Sequence, residues 1–166
     1  GLLKPTNGTI DVDDINMNEI TSNWQDNISY MPQDIYLMDD TIINNVLLDQ
    51  YHRSAEINLD KILKKVNLYD FVNKLPNKYD EKLGDKASNL SGGQIKRFGL
   101  ARCLAKNRSI LILDEPTAGL DSINSQKLIL LIKDISKIFT VIVVSHNSDF
   151  QKIADNVIEL SKLNSN

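Results

Sequence analysis

Ile110-Leu111-Ile112-Leu113-Asp114-Glu115 runs through four apolar residues and ends at once in two carboxylates. A continuous apolar run of this length suits a parallel strand covered on both faces, so it predicts an α/β sheet. Ligand sites in open α/β sheets lie at the carboxyl ends of strands, which is where Asp114 and Glu115 fall. Neighbouring carboxylates at such a place can divide two tasks. One can hold Mg²⁺, mostly through water. The other can orient and polarise an attacking water. The plain alternative is a strand that leaves the core into a solvated acidic turn at Pro116.

Upstream stands Leu90-Ser91-Gly92-Gly93-Gln94. A helix beginning at Ser91 leaves its first backbone N–H groups unpaired and pointing outward. Gly92 and Gly93 add no side chain, so a phosphate can approach within hydrogen-bond range. The Ser91 hydroxyl is a further donor, and Gln94 can donate and accept at the rim. A serine N-cap with a glycine turn is the plain alternative.

In this order the two stretches resemble the nucleotide-binding domain of ABC transporters. Leu90–Gln94 corresponds to the family's signature motif, and Ile110–Glu115 to its Walker B strand with the catalytic glutamate. Three further landmarks follow the same order: Tyr30-Met31-Pro32-Gln33 resembles the Q-loop, Gly119-Leu120-Asp121 the D-loop and Val144-Ser145-His146 the H-loop. The resemblance covers essentially the whole chain. It implies an α/β fold, an incomplete P-loop NTPase (RecA-like) core with a helical ABC subdomain inserted. The core parts would be residues 1–35 and 105–166, and the helical subdomain with the signature motif residues 36–104.

The resemblance also implies roles. ATP and Mg²⁺ would be the ligands. Asp114 would organise Mg²⁺, Glu115 would polarise the water, and Gln33 would reach both metal and water. His146 would contact the γ-phosphate and hold the glutamate in place. Leu90, Ser91, Gly92, Gly93 and Gln94 would grip nucleotide held by a second nucleotide-binding domain in a head-to-tail dimer. Asp121 would communicate across that dimer, a role compatible with being the N-cap of the helix after it. An ABC transmembrane domain, on the same chain upstream or on a separate subunit, would receive the movement of the Q-loop. The domain would sit on the cytoplasmic face of the inner membrane.

No Gly-x-x-x-x-Gly-Lys-[Ser/Thr] occurs in the sequence. That P-loop cradles phosphates and supplies a lysine charge. The opening Gly1-Leu2-Leu3-Lys4-Pro5-Thr6-Asn7-Gly8-Thr9-Ile10 resembles the end of the family's P-loop helix and the entry to its next strand. The expectation is therefore a chain that starts partway through a domain and has no appreciable ATPase activity alone. The P-loop strand would sit between strands 140–144 and 156–160, leaving strand 140–144 with an open apolar edge.

Two stretches bear on the type of transporter. Tyr79–Lys86 resembles the X-loop of exporters, although Ala87 stands where a glycine is usual. Gln33–Ile42 resembles exporter Q-loop sequence, particularly of bacterial lipid-linked glycan flippases. Glu115-Pro116-Thr117-Ala118-Gly119-Leu120-Asp121 is closer to importer and soluble ABC subunits. Export of a lipid or glycolipid is the favoured reading. The alternatives are an importer subunit, a soluble ABC ATPase and a binding module that has lost hydrolysis. The insertion contains no coiled-coil heptads of the DNA-repair type, and Glu115 and His146 are both present.

Bulk composition agrees with one domain. The chain has 166 residues, 42% hydrophobic and 25% charged, which is ordinary for a globular protein. A net charge of −3 gives no reason to expect nucleic acid. The single cysteine, Cys103, excludes an internal disulfide. No apolar stretch reaches the roughly 20 residues that span a bilayer.

Periodicity predicts strands at Thr9–Val12, Ile28–Gln33, Thr140–Val144 and Asn156–Leu160. Helices are expected from about Thr41, with Ile42, Val46 and Leu47 on one face, and over Asn58–Asn67, with Leu59, Ile62, Leu63 and Val66 as the stripe. A helix after Ser91 should bury Ile95, Phe98 and Ala101. Another over Asn124–Ile138 should bury Leu128, Leu131, Ile132 and Ile135. Pro76, Gly84 and Ser88 mark a loop before the signature motif.

Overall fold

The computed structural model describes residue 3 and residues 5–20, 24–48, 57–84 and 90–160. Gly1, Leu2, Lys4, Asp85, Lys86, Ala87 and Ser88, which figure in the sequence readings, lie outside the described residues.

A short antiparallel hairpin opens the chain, with β1 (Asp11–Val12) paired to β2 (Ile15–Asn16). Asp13 and Asp14 form its turn with φ of 51° and 62°, the left-handed geometry that a tight hairpin turn demands. The main sheet is parallel, in the order β3 (Ile28–Met31), β4 (Ile110–Asp114), β5 (Thr140–Val144). Its register sets Met31 beside Leu113 and Leu113 beside Val143. β3 stops before the expected Gln33 because Pro32 has no N–H to donate to a ladder.

Among the described residues four α-helices lie between β3 and β4: α1 (Ile42–Leu47), α2 (Leu59–Lys65), α3 (Tyr69–Asn73) and α4 (Gly92–Ala105). α5 (Ser122–Ser136) connects β4 to β5. Each predicted stripe is packed, though unevenly. Ile42, Val46 and Leu47 are buried on α1, and Leu63 and Val66 on or beside α2, where Leu59 and Ile62 are half-buried. Leu128, Leu131, Ile132 and Ile135 are all buried on α5. On α4, Phe98 and Ala101 are buried, whereas Ile95 is half-buried and Lys96 takes a core-facing position instead.

Two expectations are corrected. Residues 156–160 form no strand, and Val157, Ile158 and Leu160 are 51%, 75% and 73% exposed. β5 is the sheet edge among the described residues, and this segment does not pair with it, so its apolar side chains stay in solvent. Among the described residues the sheet is also not covered on both faces. Ser29, Met31, Leu111 and Leu113 are buried on one face, beneath α4 and α5. Across the strands, Tyr30, Ile142 and Val144 are exposed and Ile112 is only half-buried. A continuous apolar strand reads the same whether its second face is occupied or open.

Candidate functional site

The carboxyl ends of β4 and β5 adjoin one another, with Asp114 in register with Val144. Immediately beyond them the chain turns sharply. Glu115 adopts φ 39°, a left-handed conformation uncommon for a residue with a side chain. Such strain persists only where surrounding contacts impose it, and here they do. Glu115 N–H donates to Val144 O at 2.8 Å, and its carbonyl accepts from Ala118 N–H at 3.1 Å. Its carboxylate is held at both oxygens. His146 N–H donates to Oε1 at 2.9 Å and the Ser145 hydroxyl donates to Oε2 at 3.1 Å. His146 Nε2 stands 3.9 Å from Oε1 while the imidazole itself is fully exposed.

The loop that holds Glu115 is itself braced. Ser145 Oγ accepts from Asn147 N–H at 3.1 Å. Asn147 Nδ2 donates to Ser125 Oγ at 3.1 Å and approaches Thr117 Oγ1 at 3.4 Å. A polar chain thus runs from α5 through Asn147 and Ser145 to the Glu115 carboxylate.

Asp114 projects from the strand end, half-buried, and accepts a hydrogen bond from the Tyr30 hydroxyl at 2.9 Å. That bond, with some burial and the charge of Asp114, raises the Tyr30 pKa and keeps the phenol protonated. Among the described residues no cluster of three or more His, Cys, Asp or Glu makes a metal cage. Asp114 still fits Mg²⁺ of the phosphoryl-transfer kind, which takes one or two carboxylates and completes its shell with waters and substrate phosphates.

Gln33 lies exposed just past β3. Its backbone is joined to Glu115 through Lys96 of α4. The ammonium donates to Gln33 O at 2.5 Å and reaches Glu115 O at 3.4 Å. Lys96 is a residue the sequence reading missed. Its signal is its place, three residues after Gly93 and four before Leu100, on the buried side of α4.

Ser91 caps α4. Its Oγ accepts from Gln94 N–H at 3.2 Å while Gln94 Oε1 accepts from Ser91 N–H at 2.8 Å, a capping box. The box occupies the Gln94 side-chain oxygen, leaving its Nε2 and the Ser91 hydroxyl hydrogen able to donate outward. Leu90 is half-buried behind it. A Cβ on Gly92 would lie 3.1 Å from Leu120 Cδ2, and one on Gly93 3.7 Å from Asn124 Oδ1. The second is only ordinary contact, whereas Gly92 lets the start of α4 close on Leu120, just before α5. There Asp121 caps α5, accepting from Asn124 N–H at 2.9 Å and Asn124 Nδ2 at 2.6 Å. The structure brings Gln33, Asp114, Glu115 and His146 to one end of the sheet. It sets Ser91–Gln94 and Asp121 together beside the start of α5.

The family model described as "ABC transporter" matches residues 1–118. The chain belongs to the ABC transporter family. Among ABC relatives, the "ATP-dependent lipid A-core flippase" of Bordetella avium (strain 197N) is 35% identical over 157 residues, covering 94% of this chain and 27% of that protein. The protein of the same name from Francisella tularensis subsp. holarctica (strain OSU18) is 32% identical over 152 residues, covering 91% of this chain and 25% of the relative. A "Probable ABC transporter ATP-binding/permease protein" of Haemophilus influenzae is 32% identical over 155 residues, covering 93% and 28%. The solved "Structure of a bacterial Atm1-family ABC exporter with ATP bound" superposes with a TM-score of 0.72 at 31% identity, over 92% of this chain and 26% of that one. The chain thus spans about a quarter of the length of the ABC relatives it matches.

Proposed function

We propose that the protein carrying this chain hydrolyses ATP to drive export across a membrane, with a lipid or lipid-linked glycan as cargo. The observation that carries the reading is the Glu115 carboxylate, held at both oxygens at the carboxyl end of β4, beside Asp114. That arrangement fixes a base where an attacking water can be oriented. Mg²⁺, when bound, would neutralise charge on the phosphates, and Asp114 is the residue to hold it. Gln33 and His146 complete the γ-phosphate side. Ser91, Gly92, Gly93 and Gln94, with Leu90 behind them, serve a nucleotide held by a second domain in a head-to-tail dimer, and Asp121 lies at that contact.

The names of the relatives support export, and two of them name a lipid A-core flippase. Among the described residues no helix is long and apolar enough to cross a membrane, so a transmembrane domain would be the partner. This domain would then work on the cytoplasmic face of the inner membrane. No Gly-x-x-x-x-Gly-Lys-[Ser/Thr] stands in these 166 residues, and the chain by itself is expected to turn over no ATP.

The test is Glu115→Gln in the complete transporter. Loss of the base should lower Mg²⁺-dependent turnover by about 10³-fold while nucleotide binding persists. Turnover equal to the unaltered protein would remove Glu115 from the chemistry and the reading with it.

A further inference from the structure

Lys96 is only 7% exposed. Burying an ammonium is costly unless its donors are matched, and a position needing packing alone would be served by Leu or Met. Its two acceptors are both backbone carbonyls, those of Gln33 and Glu115. One lies in the loop after β3 and the other in the strained turn after β4. Burial holds the Lys96 pKa below the ordinary lysine value, against the pull of Asp34, Glu115 and Asp114, which favour the charged form. A second cation of the same helix behaves alike. Arg102 donates to Tyr36 O, farther along the same loop, and to Asn45 O in α1, each at 2.6 Å. Between them, Gly99 faces Ile35, whose Cδ1 would lie 2.7 Å from a Cβ there. The loop carrying Gln33 is therefore laced along α4 from Lys96 to Arg102.

We propose that Lys96 is a positioning residue for hydrolysis, tying Gln33 and the left-handed turn at Glu115 to the helix that presents Ser91–Gln94. This rests on the function proposed above. Lys96 lies five helical steps beyond Ser91, about 7.5 Å of rigid helix. A displacement of the signature end by the opposing nucleotide then reaches the Gln33 and Glu115 backbones directly. The motif given to one site and the residues acting at the other would move as a unit.

The experiment compares Lys96→Met and Lys96→Gln in the complete protein. Met keeps the apolar stem and removes the donors, whereas Gln restores two N–H donors without charge. Lys96→Met should lower kcat about tenfold with the KM for ATP within about twofold, since the loss is one of geometry at the reacting centre. Lys96→Gln should retain more than about half of kcat. In the nucleotide-free protein, the amide hydrogens of residues 33–36, 114, 115, 117 and 118 should exchange about fivefold faster in Lys96→Met. Leu100→Ala, a buried change on the same helix, should lower the melting temperature without lowering kcat of the folded fraction. An unchanged kcat in Lys96→Met overturns the proposal, as does a Lys96→Gln variant that falls equally far. If the unaltered protein shows no ATPase activity, the proposed function falls, yet the exchange comparison still decides the tether. Equal exchange in the unaltered and Lys96→Met proteins would overturn it.

Discussion

At the scale of single residues, the site depends on a carboxylate that must stay aimed. Glu115 receives one backbone N–H and one hydroxyl, both fixed by the turn after β5. The hydroxyl is the replaceable one. Ser145→Ala leaves the His146 N–H in place and frees Oε2, so the carboxylate can swing about the remaining bond. In the complete ATPase this should cost about tenfold in kcat with little change in KM. It should leave the melting temperature nearly unaltered, since Ser145 is only half-buried. Steady-state kinetics beside a thermal melt separates the two effects. A fall in melting temperature with kcat intact would make Ser145 a structural support and nothing more.

At the scale of elements, the two long helices begin at capped ends that meet. Asp121 accepts from the Asn124 backbone and side chain, and those bonds, the backbone one foremost, lower its pKa. The sign follows. A folded-state pKa below the unfolded value adds stability above about pH 4, the ordinary aspartate range, and this is lost as pH falls through the folded value. Asp121→Asn keeps an acceptor oxygen at the cap but does not titrate. Acid titration of the melting temperature should therefore fall more steeply for the unaltered chain than for Asp121→Asn, and parallel curves would deny the cap its role. The same elements show what the sequence discloses. α5 was legible because Leu128, Leu131, Ile132 and Ile135 repeat on one side and Asp121 precedes them. β3 was expected to reach Gln33 and stops two residues earlier, at Met31, whereas the end of β4 was legible from an apolar run stopping at Asp114. α3 was not, since Tyr69–Asn73 is barely more than one turn and Leu68 gives it no side-chain cap. β2 was hidden for the same reason, being two residues made a strand only by their partner. Lys96 and Asn147 were hidden because their meaning lies in backbone carbonyls and hydroxyls brought from distant segments.

At the scale of the whole molecule, the unequal faces of the parallel sheet govern how the chain behaves on its own. Parallel sheets are stable with both faces covered. Here α4 and α5 cover one, while Tyr30, Ile142 and Val144 stand 52%, 49% and 54% exposed on the other. Among the described residues β5 adds an unpaired edge rich in Val and Ile, the kind of edge that templates association unless blunted by charge. Both features lie on one strand, so a single substitution can test them. The 166-residue chain should self-associate as its concentration rises, with a sedimentation mass above the 18.7 kDa of one copy. Ile142→Lys places a charge in the middle of the exposed face without touching the buried one. It should return the mass toward 18.7 kDa and leave the melting temperature nearly unchanged. A sharp, cooperative melt of a monomeric unaltered chain would mean that the open face is tolerated in water. The stability of this chain would then rest on the side covered by α4 and α5 alone.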